Sequence, residues 1–189
     1  MIQIKTELKT CPATDSPERR YELISYGSIL PVEIPPEELE RSRRLFHGDE
    51  PISNKLSSGL KNVMLANSDG RRCPTCLTPM RHLKGTKFGH EIADAATIEH
   101  VIPIALGGSS KDTNLAVRCN LCNRASGHTM NEWLQRYKQN PTWDSVRSLI
   151  LYLWLETYDT TMSKALYPQL YDAFMRKREQ LRTKHERGD

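Results

Sequence analysis

Two C-x-x-C pairs, Cys73-Pro-Thr-Cys76 and Cys119-Asn-Leu-Cys122, stand 42 residues apart and constrain this chain more than any other feature. Four thiolates converging on one tetrahedral ion make a closed, structural zinc site, which forces the intervening segment to double back on itself. The opening residues MIQIKTELKTCP carry charge in every turn and lack the apolar core of a leader. The expectation is therefore a cytoplasmic chain whose paired cysteines bind metal rather than form disulfides. A thioredoxin-like redox pair needs one C-x-x-C in a βαβ setting, and no such pattern surrounds either pair. The fifth cysteine, Cys11, reads as a free thiol.

Sequence texture divides the chain into three. Residues 1–70 read as an N-terminal extension, mostly helical from residue 35; residues 71–128 hold both cysteine pairs and five of the ten glycines; residues 129–189 read as a helical region. Loose alternation at residues 1–4 and 21–26 suggests short strands, cut by Pro12, Pro17 and Pro31. Pro35-Pro36 then open a helix whose acidic first turn and later Arg41, Arg43 and Arg44 suit the helix dipole, and His47-Gly48 ends it. A second helix is predicted over residues 53–66, with Leu56, Leu60, Val63 and Met64 on one face. Downstream, Thr129 with Glu132 three residues on predicts a capping box that opens a helix through Trp133, Leu134 and Tyr137. Thr142 and Ser145 open another, turning Val146, Leu149, Ile150, Leu153 and Trp154 inward, and a basic helix follows over about residues 163–184. The stripes containing Trp133, Trp143, Trp154 and Tyr158 read as core.

The net charge of +4 is unevenly spread. Residues 1–70 carry nine Lys/Arg against eleven Asp/Glu, residues 71–128 eight against four, and residues 163–189 seven against four. A basic middle is a weak sign of a polyanionic partner. The longest apolar run, residues 149–155, falls far short of the roughly 20 residues a membrane helix needs.

Between the cysteine pairs lies Glu99-His100-Val101-Ile102-Pro103, then Gly107-Gly108, then Asn114, and finally Cys119-Asn120-Leu121-Cys122-Asn123-Arg124. This order resembles the HNH nucleases of the ββα-metal class: an acidic residue and histidine, a nearby proline, a Gly-Gly turn, an asparagine about fourteen residues on, and a C-x-x-C-Asn that opens a helix. The resemblance covers residues 71–128. It implies an α+β fold, a ββα-metal core with a four-cysteine zinc knuckle (Cys73, Cys76, Cys119, Cys122) flanked by N- and C-terminal α-helices.

It also implies roles. His100 falls on the general base, and Asn114 on the residue that holds the hairpin loop. Glu99 and Asn123 fall on the two positions that hold a catalytic Mg²⁺ or Mn²⁺; Glu stands where Asp is more usual and Asn where other members have His, and both keep an oxygen donor. Arg118 and Arg124 flank the second knuckle and are candidate phosphate contacts on a DNA substrate. His82, His90 and His128 match no position of the pattern and read as loop residues. Proteins of this kind also occur as antiphage-defence effectors beside an ATPase subunit, so such a partner is an expectation, as is the alternative of a non-cutting zinc-dependent nucleic-acid-binding module or adaptor.

Overall fold

The computed structural model describes residues 33–49, 56–83, 92–137 and 141–187. The strands expected at residues 1–4 and 21–26, Cys11, His90 and the expected helix start at Ser53 lie outside these.

Helix α1 spans Pro36–Phe46, with proline at its first position, Glu37 and Glu38 in its first turn and Arg43 and Arg44 in its last. Helix α2 spans Ser58–Ala66 and begins at the Ser57 cap, whose hydroxyl accepts from the Leu60 N–H. Its buried residue is Met64, while Val63 is exposed, so the expected apolar face is narrower than the sequence suggests. Strands β1 (Ala96–His100) and β2 (Leu115–Cys119) form an antiparallel pair in which Glu99 faces Ala116 and His100 faces Leu115. Helix α3 (Asn120–Tyr137) leaves β2 directly, completing a ββα unit. Helices α4 (Trp143–Tyr158), α5 (Thr160–Leu166) and α6 (Pro168–Arg187) follow. The architecture is α+β: a two-stranded ββα core with a four-cysteine cluster, flanked by helices on both sides in sequence.

Two boundaries differ from expectation. Thr129 does not cap a helix; it lies buried within α3, where its hydroxyl donates to the Ala125 carbonyl one turn back at 3.0 Å. The knuckle has already started this helix at Asn120, so the local capping signal is overridden, and His128 belongs to a helix turn, paired with Glu132, rather than to a loop. The basic segment is likewise two helices, because Pro168 cannot continue α5 and Tyr167 leaves helical geometry before it. The Thr142–Ser145 capping box opens α4 as read.

Strand β2 is buried on both faces, and its alternation sorts the core. Leu115, Val117 and Cys119 join Met64, Met80 and Phe174 around the cysteines. Ala116 belongs to the second cluster, with Ile102, Trp133, Leu149, Ile150, Leu153 and Trp154. The period of two that gives Ala116 to the second cluster gives it Arg118 as well.

Arg118 therefore is not a phosphate contact. Its side chain is fully buried, with NH1 donating to Glu99 at 2.7 Å and to Glu156 on α4 at 3.1 Å, NH2 donating to Glu156, and Phe174 of α6 beneath it. Removing this guanidinium leaves two buried carboxylates uncompensated, so Arg118→Met is expected to cost about 3–5 kcal/mol of stability in urea unfolding. Gly127 is the reverse case: it sits inside α3 with nothing near an added Cβ, so Gly127→Ala is expected to stabilise by about 0.5–1 kcal/mol in the same assay.

Candidate functional site

The four paired cysteines converge. One ligand sulfur from each of Cys73, Cys76, Cys119 and Cys122 lies within 4.8 Å of the others, and Cys76 and Cys119 are 3.6 Å apart. A tetrahedral ion with sulfur at about 2.3 Å needs sulfurs about 3.8 Å from one another, so the donor set fits zinc. The neighbouring sulfurs pull the Cys73 and Cys76 thiols below the ordinary range and push Cys122 above it, so four thiolates together call for a cation among them. The first pair sits on a tight turn closed by Cys73 N–H to Thr78 and Leu77 N–H to Cys73. The second straddles the junction of β2 and α3. From α6, Arg178 donates Nε to the Cys122 sulfur at 3.3 Å, a contact that offsets thiolate charge and that sequence alone did not mark.

Beyond β1 the chain makes a compact loop. Asn114, fully buried, accepts the Ile102 N–H at 2.8 Å and donates to the Ile102 and Ser109 carbonyls at 2.9 Å each. One amide group thus closes the loop upon the strand end that carries His100. A Cβ on Gly108 would lie 1.7 Å from the Ile102 carbonyl oxygen, and Gly107, at φ +92°, backs onto Ser42 of α1. Only glycine fits at either position.

Glu99, His100 and Asn123 line one cavity of about 280 Å³, together with Ser126, Met130 and Leu153. Asn123, in the first turns of α3, donates Nδ2 to the Thr97 hydroxyl at 3.0 Å and to the Ile98 carbonyl at 3.4 Å, which fixes the amide and leaves its oxygen free to accept. Burial pushes the Glu99 carboxyl up to about 7 against the pull of Arg118. One guanidinium stands between Glu99 and Glu156 and burial raises both carboxyls, so the pair tends to keep a proton that an arriving cation would displace, leaving one negative charge in excess. A carboxylate, an amide oxygen and that excess charge suit a hard divalent cation. Burial lowers the pKa of His100, keeping its imidazole neutral near pH 7. Its Nε2 lies 3.0 Å from the Ser110 hydroxyl.

Arg124 is exposed on the first turns of α3, beside Asn123, whereas His82 lies elsewhere, its backbone N–H bonded to Asp69. A larger cleft, about 610 Å³, is lined by Trp133, Arg136, Tyr167 and Arg176 and contains none of Glu99, His100 or Asn123. Sequence reading missed Ser110, Glu156 and Glu38. Glu38 is a buried carboxylate of α1 bonded to Ser109 and Thr113, and nothing local in PPEELE distinguishes it from its exposed neighbours.

No curated protein and no solved structure matches the chain. A family model described as HNH endonuclease does match, over residues 89–138, the stretch that contains β1, β2 and α3. The hairpin and helix that bring together Glu99, His100, Asn114 and Asn123 thus form an HNH endonuclease domain within this chain.

Proposed function

We propose that the protein is a metal-dependent endonuclease that hydrolyses DNA phosphodiester bonds at the cavity between β1 and α3. The observation that carries this reading is the convergence of Glu99, His100 and Asn123 on one open cavity inside the matched segment. His100 acts as the general base: its neutral imidazole takes a proton from the attacking water. Asn114 holds the loop that follows the base. Glu99 and Asn123 would hold Mg²⁺ or Mn²⁺, which supplies charge stabilisation for the scissile phosphate and the leaving oxygen. Arg124, exposed next to Asn123, is placed to meet the phosphate backbone. Zinc on Cys73, Cys76, Cys119 and Cys122 is the structural metal, joining the segment before the hairpin to the strand–helix junction. Residues 71–128 are the proposed nuclease core, with residues 1–70 and 129–189 as its helical extensions.

Among the described residues no separate sequence-reading module stands beside this core. We therefore assign target choice to a protein partner, and by family resemblance alone an ATPase subunit of a cytoplasmic antiphage system fits that role. The Arg118–Glu99 ion pair favours one second reading, a zinc-dependent nucleic-acid-binding module or adaptor that does not cut, because it occupies one oxygen of the metal-binding carboxylate.

The test is plasmid cleavage by the zinc-loaded chain and by His100→Ala. Wild type is expected to nick or linearise supercoiled DNA only with added Mg²⁺ or Mn²⁺, while His100→Ala loses at least about 100-fold in rate and retains one zinc by elemental analysis. A wild-type chain that binds the plasmid and leaves it intact with either metal would move the non-cutting module ahead. Removing zinc by chelation is expected to lower the melting temperature and abolish cleavage together, read by circular dichroism and the same gel.

A further inference from the structure

The loop between the strands is held from outside the matched segment. Glu38 on α1 is 1% exposed, and among the described residues its carboxylate accepts hydrogen bonds from that loop alone: the Ser109 N–H at 3.0 Å, the Ser109 hydroxyl, and the Thr113 hydroxyl at 3.1 Å. No lysine or arginine among the described residues forms an ion pair with it, so neutral donors of one loop answer a buried acid. One turn later Arg41 donates Nε to the Gly107 carbonyl at 3.1 Å. These contacts pin residues 107, 109 and 113, leaving Ser110 bracketed between fixed points. Ser110 makes one hydrogen bond among the described residues, to His100 Nε2.

We propose that Glu38 is a positioning residue for the base: it fixes the loop so that Ser110 holds the His100 ring in one orientation. The inference rests on reading His100 as the general base. A hydroxyl can donate to or accept from a ring nitrogen, so a fixed Ser110 sets where the His100 ring points in either tautomer. Ser110 is the only hydrogen-bond partner of the ring among the described residues, and its place depends on a carboxylate 72 positions earlier in the chain. Within the hairpin Asn114 holds the Ser109 carbonyl, and Glu38 adds the anchor from outside it, on the Ser109 N–H and hydroxyl.

The experiment uses the full zinc-loaded chain and the isosteric Glu38→Gln, which turns an NH₂ toward donors that need an acceptor, with Ser110→Ala as a variant that removes a single half-buried hydroxyl. Two quantities are read: kcat and KM on a labelled DNA duplex with Mg²⁺, and the ring ¹H and ¹⁵N signals of His100, which report whether the ring keeps one environment. Each variant is expected to lose about 10- to 100-fold in kcat with KM and zinc content unchanged. The His100 ring signals should move from one sharp set toward a shifted and averaged one. The double variant is expected to be no slower than the slower single, because both changes cut one path.

The proposal is overturned if Glu38→Gln leaves the His100 nitrogens and kcat at wild-type values, or if the two losses multiply. It is equally overturned if kcat, zinc content and melting temperature fall together in both variants, the mark of a fold support alone. If the wild type does not cut DNA, the assignment of His100 as base falls, and the ring nitrogens of the two variants still decide whether Glu38 sets the ring.

Discussion

Strand β2 is buried along both faces, and the placement of each functional group follows from that. One face closes on the cysteines and the other on α4, so five residues join the cysteine cluster to the larger apolar cluster. Register then does the rest. Pairing Glu99 with Ala116 and His100 with Leu115 puts the acid beside the buried guanidinium and brings the histidine to the strand end, where the loop begins. A slip of one residue would exchange the two faces and send Arg118 into the cysteine cluster.

The chemistry of the cavity depends on how its charges are answered. Arg118 serves Glu99 and Glu156 at once, and Phe174 covers the guanidinium, so the ion network reaches β1, β2, α4 and α6. The helices outside the hairpin are thus structural members of the site. Helix α1 grips the loop, α4 supplies the second acid, and α6 supplies Arg178 to the Cys122 sulfur.

Much of this was legible in the sequence wherever the signal was local or carried by spacing. The paired cysteines converge, the Pro36 and Thr142 helix starts lie where turn chemistry puts them, and the stripes with Trp133 and Trp154 are buried. Local signals failed where a distant contact outweighed them. Thr129 carries the pattern of a cap but lies in a helix already nucleated at the knuckle. Arg118 looked like a surface cation because the partner that buries it stands 38 residues downstream. Glu38 could not be singled out at all, since α1 has three glutamates of like appearance, Glu37, Glu38 and Glu40, and only docking against the loop separates them.

The 38-residue interval between Arg118 and Glu156 also has a temporal meaning. At about 5–20 residues per second of synthesis, the guanidinium, with Glu99 already in the chain, waits some 2–8 seconds for its second counter-charge. Helix α1 and both cysteine pairs are complete before then, but the acid on α4 is not. Assembly of the cleft is therefore scheduled by translation: a nascent chain that already contains all of Glu99, His100, Asn114 and Asn123 has yet to acquire the second carboxylate that the buried guanidinium beside them holds.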